Sequence, residues 1–487
     1  MPELIIHLGD ATVRQVFSGT PVLDEVLQAA GFSLPHPCGG RGACGKCAVQ
    51  LSGLASAPNA AEQRAGTRLS CQAVLLGDAE VTLPQASSDA RIETSTAVLD
   101  RPLRPLPGKT GAAVDIGTTT IAVNRYDLTT GTRTGTATAL NPQISIAADV
   151  MGRIDAALSG KLSLLRQQAT DAVQQLLDAS GPSSPDALVV TGNTTMLYLL
   201  TGRSPDSLAR APFEADTLFG TTVPLFGGQA YLPPCMNAFV GADITCAVLA
   251  SGICERDETA LLCDIGTNGE MALWKDGVLY VTSTAAGPAF EGAGISCGCG
   301  SVPGAIDRVA LANGQLFSRT IDGAPAVGVC GSGLIDAIAA GLTAGLIDET
   351  GAMDDDELPL APGVALLPRD VRAVQLAKAA IAAGMLTLVE TAGAQLSDIA
   401  SLCIAGGFGS HLNVSSATAI GLIPAELANR VCVLGNAALS GAAQALLDRT
   451  CIHALERIAA HSRHVALGGN PRFNEHYIDQ MLFGQEE

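Results

Sequence analysis

Apolar and polar positions alternate in two short runs at the start of the chain, Leu4 to Leu8 and Thr12 to Phe17, with the tight-turn pair Gly9-Asp10 between them. This pattern predicts a β-hairpin. From Thr20 the spacing becomes helical: Val22, Leu23, Val26 and Leu27 share a face, Thr20 is a capping residue, Pro21 suits the first turn, Asp24 and Glu25 complement the dipole, and Gly31 ends the run. Beyond Thr110, buried-strand runs at Ala112 to Ile116, Ala260 to Ile265 and Ser401 to Ala405 alternate with amphipathic helical stretches, an α/β arrangement. The first two runs end in the same tetrapeptide, Asp-Ile-Gly-Thr, and lead into return strands at Ile121 to Tyr126 and Met271 to Trp274. They predict two matching hairpins about 150 residues apart, the mark of an internal duplication. The segment from Ala86 to Lys109, polar and then Arg-Pro-Leu-Arg-Pro-Leu-Pro-Gly, fits neither period. It reads as a linker, semi-rigid at its polyproline end, that lets the N-terminal unit move. The expected units are 1–84, a linker at 85–109, and two larger halves, 110–240 and 241–487.

Composition narrows the class. At 487 residues the chain is too long for one core, and 47% apolar content with 3% aromatics predicts cores of Ala, Val and Leu. A net charge of -19 argues against nucleic acid as a partner. Of the 14 cysteines, four cluster and the others are scattered. With no signal peptide, that usage predicts reduced thiols and a cytoplasmic protein. No apolar run in the sequence approaches the roughly 18 to 20 residues that cross a bilayer, so no membrane partner is expected.

The clustered thiols are Cys38, Cys44 and Cys47, within ten residues, and the distant Cys71. Three close cysteines and one remote partner resemble the [2Fe-2S] loop of plant-type ferredoxins, with a first gap of five residues where those have four. Glycines at 39, 40, 42 and 45 suit a loop whose N–H groups approach the cluster sulfides. Strand, strand, helix and cysteine loop is also the order of the ferredoxin β-grasp. Zinc is the rival occupant, but its structural sites usually use two C-x₂-C knuckles, and Cys71 has no such neighbour. His36 is set aside, because Rieske centres need two histidines.

In the Asp-Ile-Gly-Thr loops, glycine admits phosphate oxygens to main-chain N–H groups, threonine adds hydroxyl donors, and aspartate can hold Mg²⁺ through water. The candidates are Asp115, Gly117, Thr118, Thr119 and Thr120 in the first loop, and Asp264, Gly266, Thr267 and Asn268 in the second. Turn capping is the plain alternative for the aspartates. Gly406-Gly407 follows the strand at 401–405 and leaves backbone free to lie against an adenosine. Asp243 opens a helix running to about Ser251, where it serves either as a water-positioning acid or as an N-cap. A further helix opens in Leu434 to Ala442. In this order the segments resemble the phosphate 1, connect 1, phosphate 2, adenosine and connect 2 elements of the actin, sugar kinase and Hsp70 (ASKHA) superfamily, a duplicated ribonuclease-H-like ATPase, over Thr110 to about Leu447.

Further motifs narrow the resemblance: Asn141-Pro-Gln, Ala148-Asp-Val, Gly192-Asn-Thr-Thr-Met196, Ala285 to Gly292, Cys330-Gly-Ser-Gly-Leu-Ile-Asp336 and Gln375-Leu-Ala-Lys-Ala379. Together with the cysteine loop they resemble the reductive activators of corrinoid-dependent methyltransferases over nearly the whole chain. The resemblance implies ATP-dependent return of Co(II) to Co(I), with an electron from a [2Fe-2S] cluster held by Cys38, Cys44, Cys47 and Cys71. It implies Mg²⁺ and ATP as cofactors, with Asp115, Asp264 and Asp243 as catalytic acids. Gly331, Ser332, Gln375, Lys378, Gly406 and Gly407 would join the loops around the nucleotide. The implied partners are a corrinoid-binding protein or corrinoid methyltransferase, an upstream low-potential electron donor, and a second copy in a homodimer. Tyr198 departs from the histidine of relatives and receives no role, and Glu270, Glu291, Cys297 and Cys299 are left without one.

Three alternatives remain. An activator of another low-potential metalloenzyme, such as a 2-hydroxyacyl-CoA dehydratase, would carry its cysteines inside the ATPase fold. A small-molecule kinase with a redox-sensing domain would need a substrate-hydroxyl base and a sugar pocket, neither evident here. An Hsp70-like binding protein would need a peptide domain after connect 2, where only about 40 residues follow.

Overall fold

The computed structural model describes residues 1–8, 11–32, 34, 40, 42, 47–83, 101–407 and 411–484. Cys38, Cys44, the Gly9-Asp10 turn and the polar part of the linker lie outside the described residues.

The N-terminal unit is a five-stranded sheet in the order β2-β1-β5-β3-β4, with β1 at Glu3–Leu8, β2 at Ala11–Val16, β3 at Ala48–Ala55, β4 at Arg68–Leu69 and β5 at Leu75–Thr82. β1 and β2 form the expected antiparallel pair, and β5 lies parallel to β1 and antiparallel to β3. The helix Leu23–Ala29 buries Leu23, Val26 and Leu27 against Leu4, Ile6, Leu75 and Val81. Its cap is Val22, two residues later than the sequence suggests. Val22 bridges Val74, and the Pro21 carbonyl accepts from the Leu75 N–H at 2.9 Å. That pairing holds 21–22 extended and delays the helix.

The larger part of the chain carries two six-stranded sheets. The first runs β10-β11-β9-β6-β7-β8, built from β6 Thr110–Ile116, β7 Thr120–Asp127, β8 Arg133–Leu140, β9 Ala187–Gly192, β10 Thr221–Leu225 and β11 Gly228–Leu232. The second contains β12 Ala260–Ile265, β13 Gly269–Lys275 and β14 Val278–Thr284. A small sheet of β15 Ala305–Ala312, β16 Gln315–Thr320 and β17 Gly328–Val329 follows, then a hairpin of β18 Leu358–Ala361 and β19 Val364–Leu366. β20 Ser401–Ala405, β21 Val431–Gly435 and β22 Ser462–His464 complete the order β21-β20-β12-β13-β14-β22. The halves repeat one plan: β6 pairs antiparallel with β7 and parallel with β9, as β12 does with β13 and β20.

The helices Ala242–Ser251 and Ala437–Leu447 cross between the two sheets. Val248, Leu249, Leu439, Ala442 and Leu446 join Ala113 and Val189 of one sheet to Leu262 and Ala272 of the other in a single core. Gly441 makes the crossing possible, since a Cβ there would stand 2.0 Å from the Cys246 carbonyl oxygen. The end of the linker rests on the far ends of these helices. Arg104 N–H and Leu106 N–H donate to the carbonyls of Leu447 and Leu446 at 3.0 and 2.9 Å. Arg101 reaches Glu255 at 2.5 Å and Gln444 at 3.1 Å.

One expectation is corrected here. The helix Pro368–Thr391 has the length and apolarity of a bilayer-crossing segment, with mean hydropathy 1.4 over its best window. It lies instead in the second-half core, where Val371, Val374, Ile381, Met385 and Leu388 are buried. A helix whose apolar residues are covered by protein reaches the mean hydropathy of a spanning helix, while Arg369, Arg372 and Glu390 keep its outer side exposed and charged.

Candidate functional site

Between the two sheets lies a cavity of about 270 Å³. Asp115, Gly117, Thr118, Thr119 and Thr120 border it from the first hairpin, and Asp264, Gly266, Thr267 and Asn268 from the second. Asp243, Gly331, Ser332, Gly406 and Gly407 complete that border. Each hairpin closes by a backbone bond across its turn, Gly117 N–H to the Thr120 carbonyl at 2.9 Å and Gly266 N–H to the Asn268 carbonyl at 3.1 Å. Gly117 is required by this turn, for a Cβ would stand 2.8 Å from the Thr120 oxygen. Gly406, at φ +95°, lies so close to the second loop that a Cβ would approach Asp264 Oδ1 to 2.7 Å.

The first loop is braced from behind. Asn141 Nδ2 donates to the Gly117 carbonyl at 2.8 Å, Asn193 Nδ2 to Thr118 Oγ1 at 3.2 Å, and the Arg153 guanidinium to the Thr118 carbonyl at 2.5 Å. Arg153 is fully buried and also reaches the Ala147 carbonyl and Gln143 Oε1. Burial lowers its pKa to about 9, so it stays cationic at neutral pH beside the loop.

The walls are acidic. Asp115, Asp243, Asp264, Glu270 and Glu291 face the cavity, and no Lys or Arg does among the described residues. Burial pushes Asp115 up to about 6, partly offset by an Asn436 Nδ2 hydrogen bond at 3.0 Å. Asp264 is pushed up to about 7 by burial, then by Asp115 and Glu291. Asp243 rises to about 8 through burial, then through Asp115 and Asp264. Glu270 is raised well above the usual range by burial and these same neighbours, and its Oε1 has no hydrogen-bond partner. Such a cluster is short of positive charge. No three acidic, His or Cys side chains among the described residues converge closely enough to ligate a metal directly. A cation that keeps much of its own water, as Mg²⁺ does, suits this spacing.

Asp243 is not the N-cap: Gly241 takes that position, and the Asp243 carboxylate accepts from Ile244 N–H at 2.9 Å and from its own N–H while facing the cavity. Gln375 and Lys378 are not brought to the cleft, and this corrects the sequence reading. Gln375 Nε2 donates to the Thr350 and Met481 carbonyls at 2.8 and 3.1 Å. Lys378 Nζ donates to the Leu482 carbonyl and sits 5.6 Å from the centre of the Phe483 ring. Both are buried and anchor the C-terminal segment to the helix Pro368–Thr391. Tyr198 is likewise structural, its buried hydroxyl donating to Asp216 and accepting from Thr217 N–H at 2.8 Å. Sequence reading gave no role to Asn141, Arg153, Asn193 and Asn436; all but Arg153 lay within the motifs it singled out, which was their only signal.

In the N-terminal unit, Cys47 and Cys71 bring their sulfurs to 3.3 Å. The Cys47 contact, and then burial, push the Cys71 thiol far above its ordinary range. Two thiolates on one tetrahedral metal at about 2.3 Å stand roughly 3.8 Å apart, so the pair would need to part by about half an ångström to take two corners of one metal. The turn around them is fixed by Glu62, which accepts from Arg68 Nε at 2.9 Å and Leu69 N–H at 3.1 Å, and by Ser70 N–H donating to the Cys47 carbonyl at 2.9 Å. Gly42, at φ +67°, packs where a Cβ would meet Ala61 at 2.9 Å.

Three family descriptions match consecutive parts of the chain: a 2Fe-2S iron-sulfur cluster binding domain over residues 6–76, the RACo middle region over 110–256, and the C-terminal ASKHA domain of RACo over 258–487. A corrinoid activation enzyme, RamQ of Eubacterium limosum, is 34% identical over 418 residues, covering 77% of this chain and 70% of that protein. The [Co(II) methylated amine-specific corrinoid protein] reductase of Methanosarcina barkeri is 26% identical over 420 residues, covering 77% of each. Among solved structures, a reductive activator for a corrinoid, iron-sulfur protein superposes with a TM-score of 0.73 at 27% identity, covering 99% of this chain and 98% of that one.

Proposed function

The chain belongs to the RACo family of corrinoid-activating proteins, and from that premise we propose that it is an ATP-dependent corrinoid reductase. It passes one electron to the inactive Co(II) of a partner corrinoid protein and restores Co(I), the state that accepts a methyl group. The observation that carries the ATP half is the meeting of two glycine-threonine loops on one cavity lined by carboxylates without a Lys or Arg among the described residues. A polyphosphate enters such a cavity only with a divalent cation, which answers both charges at once.

Cys47 and Cys71, with Cys38 and Cys44, hold a [2Fe-2S] cluster. Bound there, it supplies a one-electron carrier near about −400 mV. In the cleft, Gly117 to Thr120 and Gly266 to Asn268 offer hydroxyl and N–H donors to the phosphates. Asp115 and Asp264 would hold Mg²⁺ through water, Asp243 would position the hydrolytic water, and Gly331, Ser332, Gly406 and Gly407 leave room for the adenosine.

Nucleotide is needed in this reading because the Co(II)/Co(I) couple is taken to lie below the cluster, and each ~59 mV of that uphill gap costs a tenfold factor in a one-electron transfer. This chain does not hold the cobalt, so ATP can act on it only through a complex whose two states bind nucleotide differently. The protein is cytoplasmic in this reading, with a low-potential donor upstream. The test is Mg-ATP hydrolysis by the full chain in the presence of the partner in its Co(II) or methylated form. Faster hydrolysis with Co(II) is expected. Equal rates, or transfer of phosphate to an added sugar, would remove the reading in favour of a kinase.

A further inference from the structure

Glu291 touches both phosphate loops at once. Thr119 Oγ1 donates to its Oε2 at 2.5 Å, and Thr267 Oγ1 donates to its Oε1 at 2.9 Å. Thr119 belongs to the first half of the ATPase and Thr267 to the second, so one carboxylate ties the two halves across the cavity. Its Oε1 also lies 3.5 Å from the position a Cβ would take on Gly266, the face of the second loop that is kept free of side chain. Two hydroxyl donors converging on a pair of anionic oxygens beside a bare glycine is the arrangement a phosphoryl group needs.

Glu291 ends the short turn Ala289–Glu291, and the chain is pinned on both sides of it. Phe290 is buried in the second-half core. Gly292, at φ +75°, packs on the Cys299 backbone so closely that a Cβ would come within 2.5 Å of the Cys299 carbonyl oxygen. With its backbone held, the carboxylate can leave the cavity only by rotating its own side chain, and the cost of leaving is the two hydroxyl bonds.

We propose that Glu291 is a positioning residue that stands in for a nucleotide phosphate. Glu291 holds Thr119 and Thr267 in place, and Mg-ATP must displace it to reach them. The proposal rests on the reading of the cleft as an ATP site and goes beyond it. Binding exchanges one bridging anion for another, which lowers the affinity for phosphate-bearing ligands and keeps the halves registered between turnovers. Adenosine, which has no phosphate, does not compete with the carboxylate and is indifferent to it.

The full-length chain is titrated calorimetrically with Mg-ATP, Mg-ADP and adenosine, as wild type and as Glu291→Ala, Glu291→Gln and Glu291→Asp. Loss of two charge-assisted hydrogen bonds predicts that the alanine variant binds Mg-ATP about tenfold more tightly, the glutamine variant less so, and adenosine unchanged. The aspartate variant separates reach from charge: it keeps the carboxylate but is too short to span both hydroxyls, so it also tightens Mg-ATP, at least about twofold, and it decides the matter if the alanine variant does not fold. Weaker Mg-ATP binding in the alanine variant would make Glu291 a metal- or water-orienting acid and overturn the proposal. Equal changes for adenosine and ATP would reduce it to a structural contact. A wild type that binds no Mg-ATP removes the ATP reading and this proposal together, whereas normal wild-type binding with unaltered variants removes this proposal alone.

Discussion

The two phosphate hairpins share one plan and load it differently. Residues 117–120 connect the paired Ile116 and Ile121, and the register sets Ala122 opposite Asp115. Residues 266–268 connect the paired Ile265 and Gly269, and the register sets Glu270 opposite Asp264. A turn one residue shorter therefore places a second acid beside the first, because directly opposed residues share a face of the sheet. The surroundings follow suit. Asp115 receives the Asn436 amide, and its loop is braced by Asn141, Asn193 and the buried Arg153. Asp264 faces Glu270 and Glu291, and an oxygen of Glu270 is left without a partner. Duplication kept the backbone cradle in both halves and concentrated the negative charge in the second. The first loop is thereby suited to anchoring phosphate, and the second to answering a cation.

The strongest way to break this asymmetry is at the two aspartates. Asp264→Ala is expected to lower Mg-ATP hydrolysis by about 10³-fold or more, and Asp115→Ala by distinctly less, since only the first removes charge from the acid-rich half. Steady-state hydrolysis with an unchanged cluster spectrum is the measurement, and equal losses would erase the division of labour.

Glu270→Gln comes next, with an expected loss of about ten- to a hundredfold and an opposite effect on stability. Removing a desolvated carboxylate that lacks a partner should raise the melting temperature of the nucleotide-free chain by a few degrees. A lower melting temperature would mean that the Glu270 carboxylate contributes to stability rather than costing it. The raised Asp243 and Asp264 give this a pH dependence. The folded chain binds more protons than the unfolded one between their ordinary range and about 7 to 8, so stability in chelator falls as pH rises through that window. Asp243→Asn should flatten the slope measured by thermal melts, and an unchanged slope would show that Asp243 does not carry the effect.

The smallest effect is expected at Asn436, which caps the helix Ala437–Leu447 through Leu439 N–H at 2.8 Å and also bonds Asp115. Asn436→Ala should cost about 1 kcal/mol of stability and slow hydrolysis several-fold, with melts and rates as the readouts. A stability loss with unchanged hydrolysis would leave the first loop independent of that bond.

Much of the architecture was legible because local and tertiary demands agreed. The run Ser401–Ala405 is a strand at the limits its apolar residues suggest, and the helix after Gly241 ends at Ser251. The β-grasp was read from the strand, strand, helix and cysteine-loop order, and the ASKHA fold from the repeated Asp-Ile-Gly-Thr hairpins and the resemblance that their order carries. Where tertiary contacts overruled local signals, sequence reading failed. Thr20 looks like a cap, but the Val22–Val74 bridge moves the helix start. Gln375 and Lys378 sit three apart like a ligand-facing pair, yet a segment about 100 residues later covers them. The roles of Glu270 and Glu291 were hidden for another reason. One depends on a turn shorter by a residue, and the other on a loop that returns to meet both hairpins; each acid lies in a recognisable motif, but the motif does not say what its side chain faces.

The central claim is that nucleotide held between these unequal halves drives electron transfer to a cobalt the chain does not itself bind. It is tested most directly by anaerobic visible spectroscopy of a Co(II) corrinoid protein with this chain and a low-potential chemical donor, following the Co(I) band. The account predicts that Co(I) appears only when ATP and Mg²⁺ are both present, and that free cobalamin responds far less than the protein-bound cofactor. Reduction at the same rate without nucleotide would contradict it, leaving a ferredoxin joined to an idle ATPase.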